Sequence, residues 1–334
     1  LLAAMTSLEH QGWHVLNSRS PMRADEAAST TIQIVRADRD FFVALEKTHT
    51  DSSEQLRQAL MEFYVQPHYE FFQRWNRDNK GRDVGVWVDK LVDHIHRYPT
   101  VLEQIRSRSP AGEMETLITP SLQRARMLAA VEEMAPVYSF VGAFEDNAFA
   151  VPSLPAIGIC LEWFLSADFL MTLDLPDAVK QFITLNEGLV PTFLAHEFAH
   201  TVQKLSLFDA ESLAVVVIGE GMAVLFSEFV CPGQPLEKYL CFSQGQLMWC
   251  RKHETELWLR FQKDIASETW DAQTVKSYLS PFGLPLLKDA PPRVGYFIGY
   301  QICRSYLAAT GEDVKSLLSI SSAAHIIEGS RYNP

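Results

Sequence analysis

Pro191-Thr192-Phe193-Leu194-Ala195-His196-Glu197-Phe198-Ala199-His200 is the stretch from which the rest of the chain is read. Its second half has the form H-E-x-x-H, and Val190, Phe193, Leu194, Ala195, Phe198 and Ala199 surround the polar residues at a spacing that fits a largely buried helix. A helix advances about 100° per residue, so positions four apart differ by about 40°. Both imidazoles therefore project from one face and can share a metal ion. Glu197 lies about 100° round from His196, beside the site rather than in it. A carboxylate there can take a proton from an activated water without occupying a ligand position. The alternative, two solvated histidines on an exposed face, conflicts with the apolar residues around them, because buried imidazoles need partners.

A catalytic zinc takes three protein ligands and leaves a fourth position open. Working outward, Ser212-Leu213-Ala214-Val215-Val216-Val217-Ile218-Gly219-Glu220-Gly221-Met222-Ala223 places one carboxylate inside an apolar helical run. A lone buried carboxylate is costly unless its charge is compensated, which a divalent cation, or an Arg or Lys elsewhere, would do. Gly219 and Gly221 are expected to let this segment approach the metal-bearing helix closely. Nineteen residues separate His200 from Glu220, enough for a helix end, a loop and a returning helix. The spacing resembles that of the thermolysin-like zinc peptidases, the gluzincins. The metzincin pattern is excluded, since its Gly and His positions are occupied by Gln203 and Ser206, and the next histidine is His253.

His196–His200, Ile218-Gly219-Glu220-Gly221-Met222-Ala223 and Arg293-Val294-Gly295-Tyr296-Phe297-Ile298-Gly299-Tyr300 together resemble a bacterial family of predicted zinc-dependent proteases. That family is catalogued as a domain of unknown function and is distantly similar to gliding-motility lipoproteins. The resemblance covers most of Pro136 to the C-terminus, with a fainter likeness around Ile32–Phe42. It implies a zincin-like metallopeptidase with Zn2+ held by His196, His200 and Glu220, and Glu197 as general base. The thermolysin-like pattern also has an acid, four residues past the glutamate ligand, that orients a histidine. That position is Val224 here, so support must come from elsewhere, with Asp209, Glu211 and Glu228 as candidates. Tyr296 and Tyr300, four apart on one helix face, are candidates to stabilise an oxyanion, with His325 and Arg293 behind them. Each tyrosine can equally be a packing residue. The expected activity is metal-assisted hydrolysis of peptide bonds in a peptide or protein substrate docked along an edge strand near Ile157–Leu161. Its alternatives are a zinc-stabilised binding or maturation factor without turnover and a non-peptide amidase.

The flanking sequence reads as an α+β protein with a small antiparallel or mixed sheet. Residues 1–135 form a mainly helical region and 136–334 the zincin-like domain. Thr31–Val35 alternates as a strand, and Asp38 is placed to cap a following helix. Ser52–Asp78 carries Leu56, Leu60, Phe63, Tyr64, Phe71, Phe72 and Trp75 at helical spacing, with Pro67 breaking or kinking it. Helices are expected at Val84–His96, Thr100–Arg108 and Glu113–Met134. His94 and His96 are read as a solvated pair. Strands are expected at Val137–Val141, Ala148–Val151 and Ile157–Leu161. Helices resume at Leu189–Leu205, Ser212–Phe229, Gln244–Ser267, Val294–Leu307 and Glu312–Ser319.

Composition bounds these readings. The chain of 334 residues is 47% hydrophobic and 21% charged, as in ordinary globular proteins. Its 29 basic and 41 acidic residues give a net charge of −12, which argues against nucleic acid or an anionic membrane surface as partner. The five cysteines have no metal or disulfide spacing and lean towards a reducing, cytoplasmic setting. An extracytoplasmic setting stays open, because the chain starts Leu1-Leu2-Ala3-Ala4-Met5 and a signal peptide can precede it. Leu213–Phe229 is apolar enough to be considered as a membrane span, but Glu220 at its centre and the two glycines speak against it. No phosphate loop, dinucleotide fingerprint or Gly-x-Ser-x-Gly elbow occurs.

Overall fold

A computed structural model describes residues 32–48, 52–108, 113–151, 153–186, 188–205, 212–267, 271–281 and 283–334. Short β-branched and aromatic runs form β1 (Ile34–Arg36), β2 (Val137–Phe140), β3 (Ala148–Val151) and β4 (Ala156–Cys160). They make one mixed sheet in the order β1-β2-β4-β3. β1 and β4 each run parallel to β2, and β3 runs antiparallel to β4. The two-residue period divides the sheet between two cores. Ile157 and Ile159 of β4 enter one, while Ala156 and Cys160 enter the other. Expected and observed ends of β2, β3 and β4 agree within a residue, whereas β1 runs Ile34–Arg36 where Thr31–Val35 was expected. The chain is thus α+β and mainly helical around a small mixed sheet.

One core is built by α1 (Ala37–Glu46), α2 (Ser53–Ala59), α3 (Tyr69–Lys80), α4 (Val84–Arg97) and α5 (Pro99–Arg108). Tyr64, Phe71, Phe72, Trp75 and Trp87 are fully buried there against Phe140 and Phe149 of the sheet. The long helical pattern ending near Asp78 is interrupted as its proline dictates. Leu60–Val65 is a wide π-helical turn and Gln66–His68 a 3-10 turn, because Pro67 offers no N–H and crowds the preceding turn. Asp38 does not cap α1. It lies inside the first turn, fully buried, where it accepts hydrogen bonds from Arg36 Nε (2.8 Å), Arg36 Nη2 (2.7 Å) and Ser139 Oγ (2.7 Å). A bidentate guanidinium thereby ties β1 to β2. His94 and His96 are not a solvated pair. His94 continues the apolar stripe of Trp87 and Leu91 and is buried, whereas His96 is exposed.

The other core starts with α6 (Glu113–Ala129), whose Ile118, Leu122 and Ala125 are buried in it. After β4 follow a 3-10 turn (Leu161–Phe164), α7 (Ala167–Met171), α8 (Asp177–Asn186), α9 (Val190–Val202) and α10 (Leu213–Val230). The chain continues through α11 (Leu236–Leu240), α12 (Gln244–Lys252), α13 (Glu254–Ile265) and α14 (Ala272–Leu279), ending in α15 (Val294–Thr310), α16 (Val314–Leu318) and α17 (Ala323–Ser330). The helix expected over Gln244–Ser267 is two helices, meeting at His253, whose ring stacks on Trp249 at 4.2 Å. α10 is long and apolar enough to cross a membrane by length and composition, yet 67% of it is buried inside the protein, as in a core helix. The texture change at Pro136 marks entry into the sheet, while core membership runs across it through β1 and α6. By its contacts, Ile32–Pro334 is one unit.

Gly221 serves a different contact from the expected one. A Cβ there would lie 2.0 Å from the carbonyl carbon of Gly299, and one at Gly299 would lie 2.1 Å from the Val217 oxygen. The glycine pair lets α10 cross α15 backbone to backbone, rather than bringing α10 onto α9. This crossing sets the side of α10 that carries Glu220 beside the start of α15.

Candidate metal centre

α9 begins with Pro191 in its first turn, where the missing N–H costs nothing, and buries Phe193, Leu194, Phe198 and Ala199. That burial fixes its rotation, so His196 and His200 face α10. His196 Nε2 stands 3.1 Å from Glu220 Oε2 and 3.1 Å from His200 Nε2, and His200 Nε2 stands 3.5 Å from Glu220 Oε2. One ligand atom from each residue lies within 4.8 Å of the other two. Zinc bonds near 2 Å on tetrahedral axes separate ligand atoms by roughly 3.3 Å. The three atoms are spaced as one face of such a tetrahedron.

The donor set also fits a cation chemically. Burial pushes the Glu220 carboxyl up, but the two imidazoles outweigh it and hold it well below the usual carboxylate range. Burial pulls His200 down, and the Glu220 charge and hydrogen bond outweigh it, leaving its pKa raised. Gln203, at the end of α9, stands out in the sequence only as a position where a metzincin has glycine. Its Nε2 sits 3.2 Å from His200 Nδ1 while its Oε1 is buried without a partner. Amide oxygen and nitrogen differ little in shape, and turning the amide over puts Oε1 against Nδ1. Nδ1–H then donates to Oε1 and Nε2 keeps its lone pair for a metal. A polar residue one helical turn beyond the second histidine was the signal available.

Glu197 reaches the other way, towards the sheet. Its Oε2 accepts the Ala150 N–H of β3 at 2.9 Å. Burial raises its pKa, with the two imidazoles pulling in the opposite direction. Substrate docking along Ile157–Leu161 is corrected here. β4 is an inner strand, paired on both sides, and the edge beside α9 is β3. Three groups on that edge are engaged: Ala150 N–H by Glu197, Ala150 O by Asn79 Nδ2 (3.5 Å) and Ala148 N–H by Asn147 Oδ1 (2.7 Å).

The two tyrosines part company. Tyr296 lies against the centre, its ring 6.1 Å from that of His196 and its face 4.1 Å from Arg293 Cζ. Burial raises its pKa, and the Glu220 charge adds to this, so it keeps its proton. Tyr300 turns away and donates to Glu228 Oε2 at 2.8 Å. Glu228 is thereby committed to Tyr300, not to a histidine of the centre. His325 pairs with the Tyr306 hydroxyl at 3.3 Å. Asp209 and Glu211 lie outside the described residues. In front of the centre a cavity of about 410 Å³ is lined by His196, Glu197, Tyr296, Arg293, Trp163 and Phe193, among others.

Comparison with known proteins gives one family. The model described as gliding motility protein GldB matches residues 19–334. Nothing matches among curated proteins or solved structures. The match corrects the resemblance drawn from the motifs: no protease family is found, and the family of gliding motility proteins is the chain's own rather than a distant relative of it. It also overturns the assignment as a peptidase or metalloprotease, together with the maturation-factor and amidase alternatives attached to it. The match spans nearly all of the sequence, and the chain belongs to the gliding motility protein GldB family.

Proposed function

We propose that this GldB-family protein binds one zinc ion between His196, His200 and Glu220, and that the centre is a reactive enzyme site rather than a structural clamp. The observation that carries the reading is the triangle of Nε2, Nε2 and Oε2 atoms spaced at 3.1, 3.1 and 3.5 Å. Structural zinc sites are closed by four protein ligands, and the group among the described residues has three. When bound, the ion supplies Lewis acidity to an oxygen in the adjoining cavity. The chain supplies the rest. Glu197 is held by Ala150 through one oxygen, which leaves the other to accept and return a proton. Tyr296 places a protonated phenol beside the His196 ring. An antiparallel edge strand beside the helix that bears both histidines supports a zincin-like layout at this level. Peptide-bond cleavage forms no part of the proposal.

Metal analysis of the purified chain tests it. One equivalent of zinc is expected in the wild type and in Glu197→Gln, and less than about a tenth in His196→Ala, His200→Ala and Glu220→Gln. Wild-type protein without zinc after equilibration, or zinc retained in the three ligand variants, overturns the site. Cobalt substitution tests the open position. Its visible spectrum is expected to shift on adding acetohydroxamate, and an unchanged spectrum makes the centre structural.

A further inference from the structure

Among the described residues, buried side-chain polar atoms without a hydrogen-bond partner include Trp163 Nε1 and Arg293 Nη1. Both residues line the cavity in front of the metal centre, and both atoms are donors. Phe182 connects them, its ring 5.7 Å from that of Trp163 and 5.6 Å from Arg293 Cζ. Arg293 is the sharper case. It precedes α15 in the left-handed region at φ 64°, a conformation that a non-glycine residue keeps only when its surroundings impose it. Its polar neighbours are the Tyr296 phenol and the Cys241 thiol, neither of them an anion at neutral pH. A half-buried guanidinium whose Nη1 is shut off without a partner, and which makes no ion pair among the described residues, is costly. The charges at the rim are already matched, Lys80 with Asp146 at 2.7 Å and Glu145 with Arg82 and Lys90.

We propose that Arg293 is an anion-recognition residue, and that the cavity takes an organic carboxylate whose charged end pairs with the guanidinium while its apolar body lies against Phe182, Phe193 and Trp163. The inference names the ligand class of the centre described above and rests on that reading for its functional meaning, whereas the Arg293 contact itself needs no metal. A carboxylate is favoured over a phosphate because one free guanidinium matches a single charge. The second charge of a phosphate would need Lys80, which Asp146 holds. The Tyr296 ring links the two halves, touching Arg293 on one side of the site and His196 on the other.

Calorimetry on the full chain with 3-phenylpropanoate and its neutral amide, 3-phenylpropanamide, tests this, with bound zinc measured on the same samples. The carboxylate is expected to bind about tenfold more tightly than the amide, a preference that falls below about threefold in Arg293→Gln and is partly kept in Arg293→Lys. Equal affinities in the wild type, or no binding of the carboxylate at about 10 mM, overturns the proposal whether or not the variants fold. A preference that survives Arg293→Gln but disappears with zinc places the carboxylate on the metal, which refutes the role of Arg293 and leaves the metal reading standing. A preference that depends on Arg293 in protein holding no zinc upholds the subsite and refutes the metal reading.

Discussion

Glu162 and Glu220 are both glutamates set beside histidine, one in each core, and they are compensated in opposite ways. Glu162, fully buried in the 3-10 turn after β4, accepts the N–H groups of Gly142 (2.8 Å) and Ala143 (2.7 Å) and the Cys160 thiol (2.8 Å). His94 Nε2 stands off at 3.8 Å. Fixed backbone dipoles carry this charge, so the site is complete without any ion. Glu220 instead stands 3.1 Å from His196 Nε2 and 3.5 Å from His200 Nε2. Neutral imidazoles have one N–H each, and that of His200 is directed to Gln203 in the metal-ready tautomer. With Nε2 lone pairs on both rings, a cation bound there would take the place of the protons that otherwise bridge the imidazoles and Glu220. Burial of a carboxylate beside histidine thus does not by itself mark a metal site.

The largest expected effect separates the two directly. Zinc at about a thousandfold over its dissociation constant stabilises the native state by about 4 kcal/mol, a melting shift on the order of 10 °C. Chelation should remove that shift from the wild type and from Glu162→Gln, while Glu220→Gln should show none to remove. Scanning calorimetry with and without chelator measures it, and a chelator-sensitive shift in Glu220→Gln would merge the two sites into one class. Next in size is the stability of Glu162→Gln. Its amide would turn an NH2 towards at least one of the donors at Gly142, Ala143 and Cys160, costing about 2–3 kcal/mol. Urea unfolding should report the loss with zinc stoichiometry unchanged. The same turn orients Gly142-Ala143-Phe144, with Ala143 and Phe144 both in the left-handed region, and Phe144 lines the cavity. Gln203→Ala comes third, weakening zinc by about 10–100-fold through the freed His200 ring, as a competition titration would read. Unaltered affinity there removes Gln203 from the centre.

The contrast also explains what was legible beforehand. The H-E-x-x-H face was readable because helical periodicity alone brings His196 and His200 together, and Glu220 was readable as an anomaly in an apolar run. Glu162 was invisible by the same logic, since its partners are backbone groups whose position depends on two residues in the left-handed region. Gln203 was hidden because an amide carries no charge signal. Tyr296 and Tyr300 are equivalent in spacing, and only the α10–α15 crossing at Gly221 and Gly299 decides which faces the centre. The sheet order was beyond reach for a related reason. Strand limits follow from local composition, whereas placing β4 inside and β3 at the edge depends on pairings between distant segments. Family membership rests on the whole of 19–334, and a few short motifs placed the chain beside its neighbour instead.

The smallest effect concerns His94, the histidine of the ion-free site. Burial lowers its pKa and the Glu162 charge, 3.8 Å away, only partly offsets this. Its ring otherwise meets Tyr98 and Phe144, each at 5.3 Å. The folded protein therefore keeps His94 neutral over a range in which the unfolded chain, with a histidine pKa of about 6.5, has begun to take up a proton. Where the unfolded state binds more protons, stability rises with pH. The contribution of His94 is present above about pH 6.5 and is lost as pH falls through the lower folded value. Urea unfolding at about pH 7.5 and pH 5.5 should show the wild type losing more stability on acidification than His94→Gln. Comparing the two proteins cancels the titration of the other groups, which is common to both. A smaller loss in the wild type than in His94→Gln would mean that Glu162 holds His94 protonated in the native state, and the two glutamate–histidine sites would then differ in geometry but not in how their charge is balanced; an equal loss would mean that folding leaves the His94 pKa where it was.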